Sequence, residues 1–184
     1  MSQAVNLKRL IYNYQEGPVS CIPASVELIL NYHKPNFPLN QFLITTLMIN
    51  YSINNSPSFN AIERIACPAL TTFFNIKVLN PSTFTCWLQN IEDELKNDHP
   101  VAISTKVPNG SHIRVVLSKD DTRKTLLLYN PGFYLKKSYV FNNNNPTGLI
   151  AISEAGLEEY SFNNAQSDFY AIEHCRDQLQ IIPV

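Results

Sequence analysis

The residue with the clearest chemical potential in this sequence is Cys21, which stands in the segment Gly-Pro-Val-Ser-Cys-Ile-Pro-Ala-Ser. Because a proline inside a helix is tolerated only in the first turn, Pro23 and the preceding Gly17-Pro18 predict that a helix begins within a residue or two of Cys21. The positive end of a helix dipole stabilises a thiolate and lowers the pKa of a cysteine. The sequence therefore predicts a reactive thiol at Cys21.

The other cysteines lie in more ordinary places. Cys67 precedes Pro68 between short predicted helices, Cys86 lies in the first turn of an amphipathic helix, and Cys175 lies near the C-terminal end. A cysteine is more often a small buried apolar residue than a nucleophile, and the roles of these thiols stay open. The sequence has no Cys-x-x-Cys pair and no Cys/His cluster at zinc spacing, so we expect free thiols in a reducing compartment, with no metal and no cofactor.

A thiolate nucleophile needs a base, and His112 is the candidate because it opens a predicted strand after a short loop. The next strand ends at Asn130. If the hairpin between them has an odd loop centred on Asp121, the numbers of paired residues sum to 242, as 112 and 130 do. Direct cross-strand partners lie about 5 Å apart at Cβ, close enough for the amide oxygen of Asn130 to orient the imidazole. The alternative is a strand-end histidine beside a turn asparagine.

Gln15 lies six residues before Cys21, on the segment that leads into the predicted helix. Its side-chain amide can donate to an oxyanion together with the backbone N–H of Cys21. The alternative is that Gln15 is only a polar residue near a helix start. Taken with the histidine and the asparagine, it predicts nucleophilic chemistry on a carbonyl group.

Two kinds of pattern divide the chain and would position these residues. Apolar residues at helical spacing dominate the first half, most clearly Trp87, Ile91 and Leu95. Apolar runs bounded by turn residues dominate the second half. This order predicts an α+β fold in one domain, 1–184, with a helical lobe at about 15–98 packed on an antiparallel sheet lobe at about 99–175. The predicted helices are 21–32, 39–50, 59–66, 69–74 and 84–96, and the predicted strands are 101–105, 113–119, 125–129 and 169–173, with a hairpin turn at 120–122.

The composition excludes several classes of partner. The 184 residues include 14 Lys and Arg against 15 Asp and Glu, which gives a formal net charge of -1. Nucleic acids and anionic membrane surfaces are normally met by a dense field of basic residues, so neither is expected as a partner. No apolar run approaches the roughly 20 residues of a membrane span. The segment 1–14 lacks the apolar block of a Sec signal peptide.

With its glutamine, cysteine, histidine and asparagine in this order, the chain resembles the papain-like cysteine peptidase superfamily, and most closely its bacteriocin-processing, double-glycine leader peptidase-like branch. The segment 15–32 resembles that branch's glutamine followed by Cys-Gly-Pro-Ala-Ser and a helix. The segment 91–116 resembles its helix, Pro-Val-Ala-Ile strand and Gly-x-His-x-x-Val-Val region. The segment 129–131 stands where the branch has Asp-Pro, and a similar layout extends over 14–172.

The resemblance implies a papain-like fold and a role for each candidate residue. This sequence departs from the branch at Ile22, which replaces a glycine beside the nucleophile, and at Asn130, which replaces an aspartate and so keeps an orienting amide without the charge. By resemblance, Gln15 supplies the oxyanion donor, Cys21 the nucleophile, His112 the general base and then acid, and Asn130 the orienting group.

The resemblance also implies a thiol hydrolase that cleaves peptide or isopeptide bonds in a protein or peptide substrate through an acyl-enzyme. Two alternatives stay open. One is acyl or glutamyl transfer, as in transglutaminase-like or phytochelatin-synthase-like enzymes, and the other is a peptide-binding module that has lost turnover. Without a Sec signal, the chain is expected in the cytoplasm, or exported by a dedicated secretion system into another cell as a bacterial effector. The sequence leaves the substrate and the oligomeric state open.

Overall fold

An antiparallel β-sheet is the frame of the computed structural model, which describes residues 2–16, 20–51, 62, 68–107, 110–132, 148–159 and 177–184. Its strands are β1 Ser2–Ala4, β2 Phe74–Leu79, β3 Val101–Val107, β4 Gly110–Asp120, β5 Thr125–Tyr129, β6 Leu149–Ser153 and β7 Gln178–Pro183. Within the described residues they form one seven-stranded sheet in the order β2-β7-β3-β4-β5-β6, and β1 pairs with β4 beyond the end of β3. These pairings are all antiparallel.

Helices pack on this sheet. They are α1 Cys21–His33, α2 Gln41–Tyr51, α3 Pro68–Thr71, α4 Phe84–Lys96 and α5 Glu154–Glu158. α1 contacts β3, β4 and β7, whereas α4 contacts β1, β3 and β4. Nearly every residue from Ile22 to Tyr32 is buried, which is typical of a helix enclosed by a core rather than lying on a surface. α1 is therefore held rigidly, and its first residue is held with it.

Elements that carry their own local signals lie where the sequence predicts them. α1 begins at Cys21, and β5 has the predicted bounds. α4 also has the predicted bounds, because Thr83 caps its first turn by accepting the N–H of Cys86 and because a single apolar stripe, including Trp87, is buried. The expected α+β class with an antiparallel sheet is confirmed.

The expected order of helices first and strands second is wrong in detail. β1 and β2 lie in the first half of the chain and α5 lies in the second. The helix predicted over 69–74 ends at Thr71, and Phe74 begins β2 because its segment pairs with β7, where Ile76 lies opposite Ile181. β2 and β7 thus join the sheet from outside the range 99–175. The predicted strand 169–173 lies outside the described residues, as does the predicted helix 59–66 except for residue 62.

A cluster of polar side chains fixes the C-terminal end of α1. The Tyr32 hydroxyl donates to Asp98 Oδ1, and the same carboxylate accepts the Asn6 N–H at 2.8 Å and Arg9 Nη1 at 3.0 Å. The Arg9 guanidinium also lies 4.6 Å from the centroid of the Tyr32 ring, within the range of a cation–π interaction. The end of α1 opposite Cys21 is therefore anchored to the N-terminal segment and to the residue that follows α4 by two positions.

His33, the last residue of α1, makes the fold sensitive to acid. Burial, followed by the neighbouring His99, lowers the pKa of His33 from 6.5 to about 4. Since the unfolded chain binds this proton below pH 6.5, the contribution of His33 to stability is full above pH 6.5 and is lost as the pH falls towards 4. We expect His33→Phe to reduce the loss of unfolding free energy between these pH values by about 2 kcal/mol, allowing for its partial exposure. Denaturant titrations at pH 7, 5.5 and 4 measure it, and an unchanged pH dependence in the variant would contradict the assignment.

Candidate active site

The hairpin of β4 and β5 does not have the register that the sequence suggested. Asp120 pairs with Thr125, so the turn contains residues 121–124, an even number, and the paired numbers begin at a sum of 245. A bulge between Val116 and Ser118 then leaves one residue of β4 without a β5 partner, and the last pair is Val115 with Tyr129. The prediction that His112 and Asn130 are direct cross-strand partners is therefore wrong, because it assumed an odd loop and a regular ladder.

The two side chains nevertheless meet, because the bulge places them on one face. If the register past the bulge continued beyond Tyr129, Asn130 would lie opposite Arg114, which shares a face of β4 with His112. His112 Nε2 lies 2.6 Å from Asn130 Oδ1, a diagonal contact across the end of the hairpin. A one-residue change of register moves every side chain to the other face. A hairpin with the same four-residue turn but without the bulge would therefore have put Asn130 on the side opposite to His112.

The hydrogen bonds around Asn130 define the protonation of the histidine. Asn130 Oδ1 also accepts the backbone N–H of Gly132 at 3.0 Å, which identifies this atom as the amide oxygen. An oxygen acceptor requires His112 to carry its ring proton on Nε2, an assignment made from the hydrogen-bond network. Nδ1 is then the basic nitrogen of the neutral ring.

Electrostatics around His112 favour that neutral ring. Burial, and after it the positive charge of Arg114, lowers the pKa of His112 to about 4, against the opposing hydrogen bond to Asn130. Arg114 is fully buried, and it donates to the Thr105 hydroxyl, which in turn donates to the backbone carbonyl of His112 at 3.0 Å. Arg114 is not among the residues predicted above, although a single cation inside the apolar run Ile-Arg-Val-Val is a local signal of a buried charge.

Cys21 is brought to the same place by the start of α1. The backbone amide of Ile113, the residue after His112, lowers the pKa of the Cys21 thiol, and the amides of Ile22 and Cys21 in the first helical turn act in the same direction. First-turn N–H groups have no partner inside a helix, so they are available to the sulfur. Ile113 lies on the part of β4 beyond the last pair with β5, which is Val115 with Tyr129.

The pKa of Cys21 is shifted in the direction opposite to the prediction. Burial raises the pKa of the thiol above its ordinary value of 9.0, and the amides of Ile113, Ile22 and Cys21 and the charge of Arg114 oppose this only in part. The helix start favours the thiolate, but the removal of water from the thiol favours the neutral form and has the larger effect. In the resting protein, burial therefore favours the neutral forms of both the Cys21 thiol and the His112 imidazole.

Gln15 is held against the same turn. Its backbone N–H donates to the carbonyl of Pro131 at 3.0 Å, and the residue is buried. Gln41 on α2 holds both neighbours of Gln15: its Nε2 donates to the carbonyl of Tyr14 at 2.7 Å, and its Oε1 accepts the N–H of Glu16 at 3.2 Å. The segment before α1 is thus fixed on both sides, and the side chain of Gln15 reaches Gly132 beside His112.

The remaining cysteines are placed differently. Cys86 is exposed in the first turn of α4, and Cys67 and Cys175 lie outside the described residues. Among the residues that the structure describes, no group of three or more His, Cys, Asp or Glu side chains is arranged to hold a metal ion. In the same part of the chain, no helix has the length and apolar character needed to cross a membrane.

A protein-family model described as the Peptidase_C39 like family matches residues 5–149, a range that contains Gln15, Cys21, His112 and Asn130. The chain belongs to this family. Membership in the Peptidase_C39 like family confirms the resemblance to bacteriocin-processing peptidases and indicates a cysteine peptidase at the level of the family. The helices and antiparallel sheet are consistent with the papain-like fold. A comparison with curated proteins finds no match.

Proposed function

We propose that this member of the Peptidase_C39 like family hydrolyses an amide bond of a peptide or protein through a thioester with Cys21, with His112 as general base, Asn130 as orienting group and Gln15 as oxyanion donor. The observation that carries the proposal is the 2.6 Å contact between His112 Nε2 and Asn130 Oδ1. The next residue of β4, Ile113, has the backbone amide that lowers the pKa of the Cys21 thiol. Family membership supports a peptide substrate.

The protonation states support a mechanism in which the proton moves during the attack. Because Nε2 carries the ring proton and bonds to Asn130, Nδ1 of His112 is the nitrogen that takes the proton from the Cys21 sulfur as the S–C bond forms. His112 then gives this proton to the leaving amine as the C–N bond breaks and the thioester remains. In the second half, His112 takes a proton from water as the oxygen attacks the thioester, and it returns this proton to the Cys21 sulfur as the C–S bond breaks and the acid leaves.

We propose two donors for the tetrahedral oxyanion. The backbone N–H of Cys21 lies in the first turn of α1, where it has no helical acceptor. Gln15 Oε1 is turned towards the position that a Cβ of Gly132 would occupy. The proposed donor is the nitrogen of the same side-chain amide, Nε2. Loss of one oxyanion donor typically lowers kcat by about 10²–10³-fold, so Gln15→Ala is expected to be impaired without changing the nucleophile.

A comparison of cleaved proteins tests the proposal. Cell extract is treated with wild type or with Cys21→Ala, and the new protein N-termini are identified by mass spectrometry. We expect a set of N-termini that only the wild type produces, together with a wild-type acyl-enzyme whose mass corresponds to the segment before the cleaved bond. The same set with both proteins would contradict the proposal. Adding an amine to the trapped thioester distinguishes hydrolysis, which gives the free acid, from transfer, which gives the amide. Bacterial and animal-cell extracts are compared to find which of them contains the substrates.

A further inference from the structure

The turn after β5 comes closer to the candidate residues than any side chain would allow. A Cβ built on Gly132 would lie 2.8 Å from Gln15 Oε1, 3.0 Å from His112 Cε1 and 3.3 Å from His112 Nε2. The first distance is shorter than real Cβ atoms show, and the second is at the limit of close packing. The space that a side chain at position 132 would need is therefore occupied by both the proposed oxyanion donor and the proposed base.

The turn is also tied in place by its polar groups, so it cannot simply move away. The Gly132 N–H donates to Asn130 Oδ1 at 3.0 Å, and the Pro131 carbonyl accepts the Gln15 N–H at 3.0 Å. The Asn130 N–H donates to the carbonyl of Gly148 at 2.8 Å. A side chain at position 132 would have to displace Gln15 or His112, or break these bonds.

Backbone conformation gives no separate reason for a glycine here. Among the described glycines, the one with a positive φ is Gly148, at 71°, whereas Gly132 lies outside the left-handed region and any residue could adopt its backbone angles. What excludes a larger residue from position 132 is the space occupied by Gln15 and His112. This is a constraint set by the site rather than by the turn.

We infer that Gly132 is a positioning residue, whose missing side chain lets Gln15 and His112 close around Asn130 in one arrangement. The inference rests on the proposed function for its effect on catalysis, although the packing itself does not. Gly132 acts through other residues: its N–H holds the amide oxygen that orients the imidazole, and its Cα hydrogens face the glutamine that would donate to the oxyanion.

Gly132→Ala should therefore impair the site without removing a reacting group. A displacement of catalytic groups by a fraction of an ångström to an ångström lowers turnover by up to about 10²-fold, so we expect kcat to fall by about 10–100-fold with KM nearly unchanged. The matched control is Gly156→Ala in α5, where the added Cβ meets the flexible Ser153 hydroxyl at 3.1 Å, and its kcat should stay within about twofold.

A double-mutant cycle separates positioning from general damage. If Gly132→Ala acts partly by displacing Gln15, its effect on kcat should be much smaller in a Gln15→Ala background than in wild type. Full additivity of the two substitutions, or a wild-type kcat for Gly132→Ala, would overturn the inference.

A readout that needs no turnover keeps this inference distinct from the proposed function. The His112 Cε1–H resonance and its titration, followed by NMR, should differ between wild type and Gly132→Ala and should be the same in wild type and Gly156→Ala. If wild type shows no Cys21-dependent cleavage but the resonance shifts in Gly132→Ala, the proposed function fails and the positioning role stands. An unchanged resonance and titration in Gly132→Ala overturns the positioning role whatever the activity.

Discussion

Replacement of Cys21 by alanine should lower kcat for peptide cleavage by about 10⁴-fold or more, because no thioester can form without the sulfur. The loss should not come from unfolding. The substitution removes a single sulfur atom, so the change in unfolding free energy is expected to stay near 1 kcal/mol. Steady-state cleavage assays and denaturant titrations of the same preparation measure the two quantities. The matched control is Cys86→Ala, an exposed thiol on α4, which should retain wild-type kcat.

The pH dependence of alkylation provides a second measurement on the same thiol. Because burial raises the pKa of Cys21 above 9.0, iodoacetamide should modify it slowly at pH 6 and faster as the pH rises through 9 and beyond. Fast, selective alkylation of Cys21 at pH 6 would show a thiolate already formed in the resting protein. That result would contradict a neutral thiol beside the neutral imidazole of His112. It would support the lowered pKa that the helix start predicts for Cys21. In the cleavage assay, a Cys21→Ala variant that cleaves peptide at the wild-type rate would show that Cys21 is not the nucleophile.

Replacement of His112 by glutamine is expected to cost about 10³–10⁴-fold in kcat at neutral pH, since the thiol of Cys21 is neutral there and needs a base. The acid limb of kcat/KM for the wild type should fall near pH 4 rather than 6.5, because His112 stays neutral and able to accept a proton down to that pH. The matched control is His99→Gln, which should retain the wild-type kcat. His99 bonds to Glu94 through Nδ1 at 2.8 Å and packs against His33, at the end of α1 opposite to Cys21.

Asn130→Asp tests the same electrostatics in the opposite direction. A carboxylate in place of the amide would stabilise an imidazolium and raise the pKa of His112, so the acid limb of kcat/KM should move to higher pH. An acid limb of the wild type near 6.5, or one that does not move in Asn130→Asp, would show that burial and Arg114 do not control the histidine.

The parts of the fold that the sequence could predict are those with local causes. Pro23 fixes the start of α1 wherever that helix packs, and the apolar stripe of α4 is visible in any context. β2 could not be found in this way, because Phe74 enters a strand through its pairing with β7, more than a hundred residues away. Long-range pairing depends on the whole sheet and leaves only a weak local trace.

In the candidate site, too, the residue types could be predicted from the sequence, whereas the effects of the folded environment could not. Residue types identified Gln15, Cys21, His112 and Asn130, and the structure brings their neighbourhood together. The direction of the Cys21 pKa shift could not be predicted, because it depends on how much water the folded core removes. The role of Gly132 was hidden as well, since an Asn-Pro-Gly sequence predicts a turn but not which side chains will close against it.

The bulge in β4 has a consequence for how this site can change over time. Leu117 is the residue without a β5 partner, and its carbonyl is occupied by the N–H of Val5. Leu117 is fully buried, so another apolar side chain of similar size could fill its position. Deleting the residue would instead turn Asn130 to the far face of the sheet with every reacting group still encoded. The number of residues in the hairpin therefore determines on which face of the sheet Asn130 lies. We expect volume-conserving apolar substitutions along the hairpin to be tolerated more readily than an insertion or deletion, because part of the information for the chemistry is stored as a count of residues.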